Sequence, residues 1–161
     1  MKILSFDVSG NFHEGKGTTG VCVMKADDDF ELYELSAKKF DSAEEYWITH
    51  LNTIVAEEPT HLVIEGYRLY NHRGSAASMQ ANSILETPML IGVIRTHAFL
   101  YDIPLKIQYA ADVKSRWSDE ILFKRGHLTM KNNRYYLGGK LTNNHERDAL
   151  RHALHFRRYG L

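Results

Sequence analysis

The chain has 161 residues, of which 43% are hydrophobic and 25% are charged, and its formal net charge is zero. This length suits one domain with its own core, and the composition is ordinary for a globular protein. The longest apolar stretches, such as residues 89–94, are far too short to span a membrane, and the N-terminal apolar run is too short and too quickly acidic for a signal peptide. We therefore expect a single domain over residues 1–161 without a membrane span.

The zero net charge conceals a difference between two parts of the chain. Residues 1–65 carry five lysines and no arginine against thirteen acidic residues, whereas residues 66–161 carry five lysines and ten arginines against seven acidic residues. This difference in charge is consistent with an acidic site that binds cations and a neighbouring basic surface that binds a polyanion. Simple segregation of charge between elements is the plainer interpretation, although the arginine bias favours phosphate contacts. The one cysteine, Cys22, lies in an apolar run and is expected to be a buried thiol in a reducing cytoplasm.

The first half of the chain predicts a meander of three strands followed by a helix and a fourth strand. The strands are expected at residues 2–8, 18–24, 30–40 and 61–65, where β-branched and aromatic residues cluster between turn signals. The helix has an N-cap signal at Asp41-Ser42 and acidic residues in its first turn, and it is expected to reach about Val55.

The second half alternates helices with one further strand. Residues 66–78 predict a polar and aromatic loop, which is followed by a helix at 79–101 bent near Pro88 and by a strand at 105–109. A helix at 112–123 and a hairpin-like segment at 125–141 are expected next. The last helix is expected to run from an N-cap at Asn144 to about Arg158. The order β-β-β-α-β-α-β-α, with a further C-terminal helix, predicts an α/β protein. Its core would be a five-stranded mixed sheet flanked by helices.

Four residues at the ends of these elements are candidate metal ligands. Asp7 lies in the first strand segment, Glu65 ends the fourth, and His145 and Asp148 share one face at the start of the last helix. Carboxylates held by rigid elements suit Mg²⁺ or Mn²⁺. Two such ions about 3.5–4 Å apart activate water and neutralise the leaving oxygen of a phosphodiester. The set predicts a metal-dependent nuclease in which His145 is either a ligand or the group that orients water.

Each of these residues has a plainer interpretation when it is taken singly. Asp7 alone would be a turn former and His145 a helix cap, whereas Glu65 has no obvious structural task. His152 shares the helix face of His145 and Asp148, but the absence of a cysteine pair or an HExxH pattern argues against zinc. We therefore interpret His152 as a residue that packs beside the cluster or supports one of its ligands.

The motifs together resemble the RuvC-type Holliday junction resolvases of the RNase H-like superfamily. The segments that carry this resemblance are ILSFDVSG, LVIEGY, AADVKSRW and HERDALRHAL. The resemblance implies an RNase H-like fold and a homodimer whose two sites cut opposed strands of one junction. It also implies that the four candidate ligands are catalytic and hold two Mg²⁺ or Mn²⁺ ions, and that Lys114 lies near a bound phosphate backbone. The loop 10–17 and the segment between Lys114 and His145 depart from the pattern of cellular members, which favours a divergent, bacteriophage-type branch.

Basic and aromatic residues beyond Glu65 are candidate DNA contacts. Aromatic rings beside arginines stack on unpaired bases and hold phosphates, although an ordinary exposed loop explains any one of them. The candidates are Tyr67, Arg68, Tyr70, His72, Arg73, Lys114, Arg116, Lys124, Arg125, Lys131, Arg134 and Lys140. The apolar helix expected at 79–101 is either a core helix or a dimer contact.

The function that these patterns favour is a crossover junction endodeoxyribonuclease that acts on Holliday junctions and other branched DNA. Two alternatives stay open on the sequence alone. One is another RNase H-like nuclease, acting on RNA–DNA hybrids, on ribosomal RNA precursors or in DNA packaging. The other is a module that binds branched DNA without cutting it.

Overall fold

The computed structural model describes residues 1–13, 15–68 and 85–160. One sheet has the order β3-β2-β1-β4-β5. Its strands are β1 (Ile3–Asp7), β2 (Thr18–Met24), β3 (Phe30–Ser36), β4 (His61–Glu65) and β5 (Leu105–Gln108). Strands β1 to β3 form an antiparallel meander, and β4 pairs in parallel with both β1 and β5. The predicted five-stranded mixed sheet is confirmed.

Helices cover both faces of this sheet. The α-helices of the described residues are α1 (Ala43–Glu57), α2 (Glu86–Leu100), α3 (Ala110–Lys114), α4 (Asp119–Lys124) and α5 (Asn144–Tyr159). One core cluster joins the sheet to α3, α4 and α5, and a second joins the opposite face to α1 and α2. Among the described residues, no helix is both long enough and apolar enough to cross a membrane.

Side chains of β1 alternate between the two cores, as the period of a strand requires. Ile3 belongs to the core beneath α5, while Leu4 and Phe6 belong to the core beneath α1 and α2. Strand β4 shows the same alternation, with Val63 on the α5 side and its two apolar neighbours on the other. Cys22 is also buried on the α5 side as a free thiol, and burial raises its pKa.

The predictions for two helices in the last third of the chain are wrong. The helix expected at 112–123 is divided into α3 and α4, because the Ser118 hydroxyl accepts a hydrogen bond from the Ile121 N–H (3.3 Å) and so caps a new helix. The N-cap of α5 is Asn143 rather than Asn144. Its side chain accepts from the Glu146 N–H (2.9 Å) while the Glu146 carboxylate accepts from the Asn143 N–H (2.8 Å), which forms a reciprocal capping box.

The helix expected at 79–101 begins at Glu86 in the described part of the chain, and residues 79–84 lie outside it. Pro88 is therefore in the first turn, where its missing N–H costs no intrahelical bond, and not at an internal bend. Strand β3 also stops earlier than expected, at Ser36, because Ala37–Lys39 form a 3₁₀ turn whose first N–H bonds to the carbonyl of Gly17 (2.8 Å).

The hairpin-like segment expected before the last helix is a small three-stranded antiparallel sheet. It consists of β6 (Thr129–Lys131), β7 (Arg134–Leu137) and β8 (Lys140–Leu141). Gly138 and Gly139 have φ of 55° and 82° and form the predicted turn between β7 and β8. This small sheet leads directly into the capping box of α5, so it lies beside the start of that helix.

Candidate metal centre

Two of the predicted ligands lie at the carboxyl ends of neighbouring parallel strands. Phe6 of β1 is in register with Ile64 of β4, so Asp7 and Glu65 follow as adjacent strand ends. Strand alternation places Asp7 on the same side as Ile3, and Glu65 on the same side as Val63, which is the side covered by α5. The two carboxylates therefore face the helix that carries the other candidates.

Helix α5 brings Asp148 to the same place. One carboxylate oxygen from each of Asp7, Glu65 and Asp148 lies within 4.8 Å of the other two. His145 is not part of this group of three oxygens. Its Nδ1 atom lies 2.8 Å from Oδ2 of Asp7, and its side chain is 47% exposed at the outer edge of the cluster. The structure thus gathers three of the four predicted ligands and sets the fourth against Asp7.

The close approach of α5 depends on Gly20. Gly20 is the register partner of Asp7 in β2, and a Cβ atom at this position would overlap the backbone carbonyl of His145. A strand residue with a side chain would hold the first turn of α5 away from the sheet. No motif in the sequence singles out this glycine, because its role depends on a contact between residues far apart in the chain.

Each carboxylate of the cluster has its own basic partner. Asp7 contacts His145, Glu65 lies 2.9 Å from Nε2 of His152, and Asp148 contacts two cations. Those cations are the ammonium of Lys114, 2.9 Å from Oδ2 of Asp148, and the guanidinium of Arg151. Three negative charges crowd into a partly buried site, and these neighbours compensate them.

His152 supports Glu65 from inside the core. It is 1% exposed, and its Nδ1 atom lies 2.9 Å from the side-chain oxygen of Gln108 while Nε2 faces Glu65. Gln108 ends β5 and is in register with Glu65 at the end of β4. His152 therefore links α5 to the ends of both strands. The helical spacing already indicated that His152 lies on the same face as Asp148, but the contact with Gln108 was missed.

A second network of side chains holds Asp148 through Arg151. Asp119, the first residue of α4, accepts from Nε of Arg147 (2.8 Å) and from Nη2 of Arg151. Arg151 also donates from Nε to the carbonyl of Trp117 (2.7 Å) and from Nη1 to Asp148. Sequence reasoning missed these residues, because arginines spaced along a polar helix usually indicate an exposed face.

The electrostatics of the cluster favour a bound cation. Burial raises the pKa of Asp7, and the charge of Glu65 adds to this effect, while the hydrogen bond from His145 opposes it. The pKa of His145 is raised chiefly by its hydrogen bond to Asp7. Burial alone would raise the pKa of Glu65, but the hydrogen bond and charge of His152 lower it. Three hard oxygen donors in such a site suit Mg²⁺ or Mn²⁺, since these ions prefer carboxylate ligands.

The candidate DNA contacts nearest to Glu65 are only partly described. Tyr67 is exposed, and the guanidinium of Arg68 lies 3.6 Å from the centre of the Tyr109 ring. The three other candidates in this loop, which lie outside the described residues, are Tyr70, His72 and Arg73.

The remaining basic candidates lie on α3, α4, the turns that follow them, and the small sheet. Three of them have acidic partners: Lys114 contacts Asp148, Lys124 contacts Glu120 (2.6 Å), and Lys140 contacts Glu146 (3.0 Å). Two lie over aromatic rings, with Arg116 5.0 Å from the ring of Tyr159 and Arg125 4.6 Å from that of Trp117. Lys131 and Arg134 are exposed on either side of the β6–β7 turn.

Comparison with known proteins identifies the fold. No model of a known protein family matches the sequence, and no curated protein sequence matches it. Among solved structures, the chain is similar to T. thermophilus RuvC in complex with a Holliday junction substrate, with a TM-score of 0.62 and 16% sequence identity over 99% of this chain and 94% of that chain. A second Thermus thermophilus RuvC structure gives a TM-score of 0.59 and 15% identity over 99% of this chain and 97% of that one. The mixed sheet and its flanking helices therefore have the RuvC-like, RNase H-like fold.

Proposed function

We propose that this protein is a divalent-metal-dependent endonuclease that cuts branched DNA, with the four-way junction as its main substrate. The observation that carries the proposal is the convergence of Asp7, Glu65 and Asp148 within 4.8 Å at one edge of a RuvC-like sheet. These side chains come from β1, β4 and α5, so the fold itself creates the cluster. A protein that only bound DNA would gain little from three acids beside a polyanion.

Asp7, Glu65 and Asp148 would hold the metal, with His145 as a fourth ligand or as the group that positions the attacking water. Bound Mg²⁺ or Mn²⁺, two ions per site, supplies an activated water and neutralises charge on the phosphate. The residues around the ligands prepare this site. His152 and Gln108 fix the orientation of Glu65, and Arg151 fixes that of Asp148.

Branched DNA as the substrate is supported by the fold and by the distribution of cations. The similar T. thermophilus RuvC structure contains a Holliday junction. In this chain, Lys114 lies at the acidic cluster, and Lys131 and Arg134 lie on the small sheet beside the start of α5, where all three would contact phosphates. Arg116 and Arg125 lie instead near the last turns of α5, beside Tyr159 and Arg157. Binding would then weaken steeply with salt, because each phosphate contact releases counterions.

A homodimer completes the proposal, since two sites are needed to cut opposed strands of one junction. Helix α2 carries exposed apolar side chains, among which Phe99 is 81% exposed. A shallow groove between α1 and α2 is lined by apolar side chains that include Trp47, Leu51, Met89 and Leu100. This face suits contact with a second copy, because large exposed apolar patches mark interaction surfaces.

The proposal is tested by incubating labelled four-way junction, fork, linear duplex and RNA–DNA hybrid with Mg²⁺ or Mn²⁺, beside an Asp7→Asn control. We expect paired nicks in opposite arms of the junction that disappear in the control. Cutting of the hybrid alone would overturn the substrate while keeping the metal centre. Tight junction binding without cutting by the unaltered protein would instead favour a binding module.

A further inference from the structure

We infer that the ammonium of Lys114 is an internal counter-cation of the acidic cluster, which a divalent ion displaces and which then binds a DNA phosphate. The inference rests on the proposed metal centre and adds to it a coupling between metal binding and DNA binding. Lys114 is the last residue of α3, and its Nζ atom lies 2.9 Å from Oδ2 of Asp148. Its charge also acts on Glu65.

The two cations that contact Asp148 differ in how firmly they are held. The Arg151 side chain is 10% exposed and is fixed by Asp119 and by the carbonyl of Trp117 as well as by Asp148. The Lys114 side chain is 50% exposed, and Asp148 is its one ion-pair partner in the part of the chain that the structure describes. A lysine on a flexible stem can leave such a contact at little cost, whereas a buried and triply bound guanidinium cannot.

A divalent ion at the cluster and the ammonium of Lys114 would compete for the same carboxylate. Like charges held a few ångströms apart repel strongly in a partly buried site, so Lys114 is expected to move outward when the metal binds. Because the aliphatic part of the Lys114 side chain spans only a few ångströms, the released ammonium stays beside the metal centre. The substrate phosphate must lie at the same place. Lysine binds phosphate as a mobile point charge, so the same side chain would serve the metal-free site and the DNA complex in turn.

The first test measures Mn²⁺ affinity by titration calorimetry without DNA. The variants are Lys114→Gln, which removes the charge, and Lys114→Arg, which keeps it. The matched control is Lys2→Gln, because Lys2 forms a similar ion pair with Glu57 (2.8 Å) before the start of β1, at the end of that strand away from Asp7. We expect Lys114→Gln to bind Mn²⁺ roughly 5- to 30-fold more tightly than the unaltered protein. Lys114→Arg and Lys2→Gln should bind it as the unaltered protein does.

The second test measures junction affinity over a range of salt concentrations, with Ca²⁺ or with a chelator. In the unaltered protein, Ca²⁺ should steepen the dependence of log K on log salt, because Lys114 becomes available for one more phosphate, worth about 0.9 in slope. Lys114→Gln should lack this additional steepening. Lys2→Gln should retain it.

The outcomes separate the inference from the proposed function. If the unaltered protein binds no divalent ion, both are overturned. If it binds Mn²⁺ and Lys114→Gln binds it equally or more weakly, the metal centre stands and the counter-cation is overturned. A gain of Mn²⁺ affinity in Lys114→Arg as large as that in Lys114→Gln would also overturn it, because the effect would then not arise from the charge. Thermal unfolding of each variant confirms that the affinities are those of folded protein.

Discussion

Gly20 lies against the backbone carbonyl of His145, at the point where the first turn of α5 crosses β2. Contact at this point sets how far α5 stands from the sheet, and thus how far Asp148 stands from Asp7 and Glu65. The distance between carboxylates on a strand end and on a helix is therefore controlled by a residue with no chemistry of its own.

Replacing Gly20 by alanine should destabilise the protein by about 3 kcal/mol, because the added methyl group meets backbone atoms that cannot rotate away. The variant should also bind Mn²⁺ more weakly, since the shift of α5 separates Asp148 from the strand-end carboxylates. Chemical denaturation and calorimetry measure the two effects. The matched control is Gly92→Ala in α2, where a Cβ atom meets open space and stability should rise slightly. Equal stability of the two variants would contradict this account of Gly20.

Replacing His152 by leucine should weaken Mn²⁺ binding by about 10- to 100-fold, which is typical for the loss of a residue that orients a metal ligand. Without His152, the Glu65 carboxylate loses the hydrogen bond that fixes it and lowers its pKa. His155→Leu is the control, because His155 lies on the same helix and none of its contacts is with the three carboxylates. Unchanged Mn²⁺ affinity in a folded His152→Leu protein would show that Glu65 is oriented by other means.

The parts of the fold that local pattern determines could be predicted from the sequence. Apolar and β-branched runs between turn signals located all five strands of the main sheet, and an N-cap signal located α1, whose Ser42 side chain accepts from the Glu45 N–H. Parallel pairing of β1 with β4 places Asp7 beside Glu65 in the structure. Boundaries failed where two neighbouring residues offered the same signal, as with Asn143 and Asn144.

The parts of the site that depend on tertiary contacts could not be predicted. Arg151 and Asp119 are 32 positions apart, and neither belongs to a recognisable motif. Gln108 belongs to no motif in the sequence. Its register with Glu65 is what places it where it can contact His152. The sequence therefore indicated the chemical groups of the cluster, while the residues that hold them in place appear only when α4, α5 and β5 are packed together.

The stability of the protein should fall as pH decreases from about 6.5 to 4, in part because of His50. His50 is a residue of α1 and its side chain is fully buried, with Nδ1 bonded to the carbonyl of Tyr46 (3.0 Å) and Nε2 to the hydroxyl of Thr19 (2.8 Å). Burial lowers the pKa of His50 to about 4 from its usual 6.5. In this pH window the unfolded chain takes up a proton that the folded protein does not, so unfolding is favoured by up to about 3 kcal/mol.

Denaturation curves at several pH values, compared with those of His50→Gln, measure this contribution. The variant is expected to be less stable at pH 7, because the buried contacts of the imidazole are lost. Its stability should nevertheless depend less on pH between 6.5 and 4. The same pH dependence in both proteins would show that His50 is not the group responsible.

Asp119 is expected to stabilise α5 far more than its neighbour Glu120 does, although both are carboxylates in the first turn of α4. Asp119 compensates the guanidiniums of Arg147 and Arg151, which are each 10% exposed, whereas Glu120 pairs with Lys124 in solvent. Asp119→Ala leaves two buried cations without this partner, and the free energy of unfolding should fall by about 2–4 kcal/mol. Glu120→Ala should cause little change, because exposed ion pairs contribute little.

Asp119→Ala should also reduce Mn²⁺ affinity, since Arg151 then no longer holds Asp148 in position. Urea denaturation and calorimetry on both variants test this, and equal stabilities would show that the buried arginines do not need Asp119.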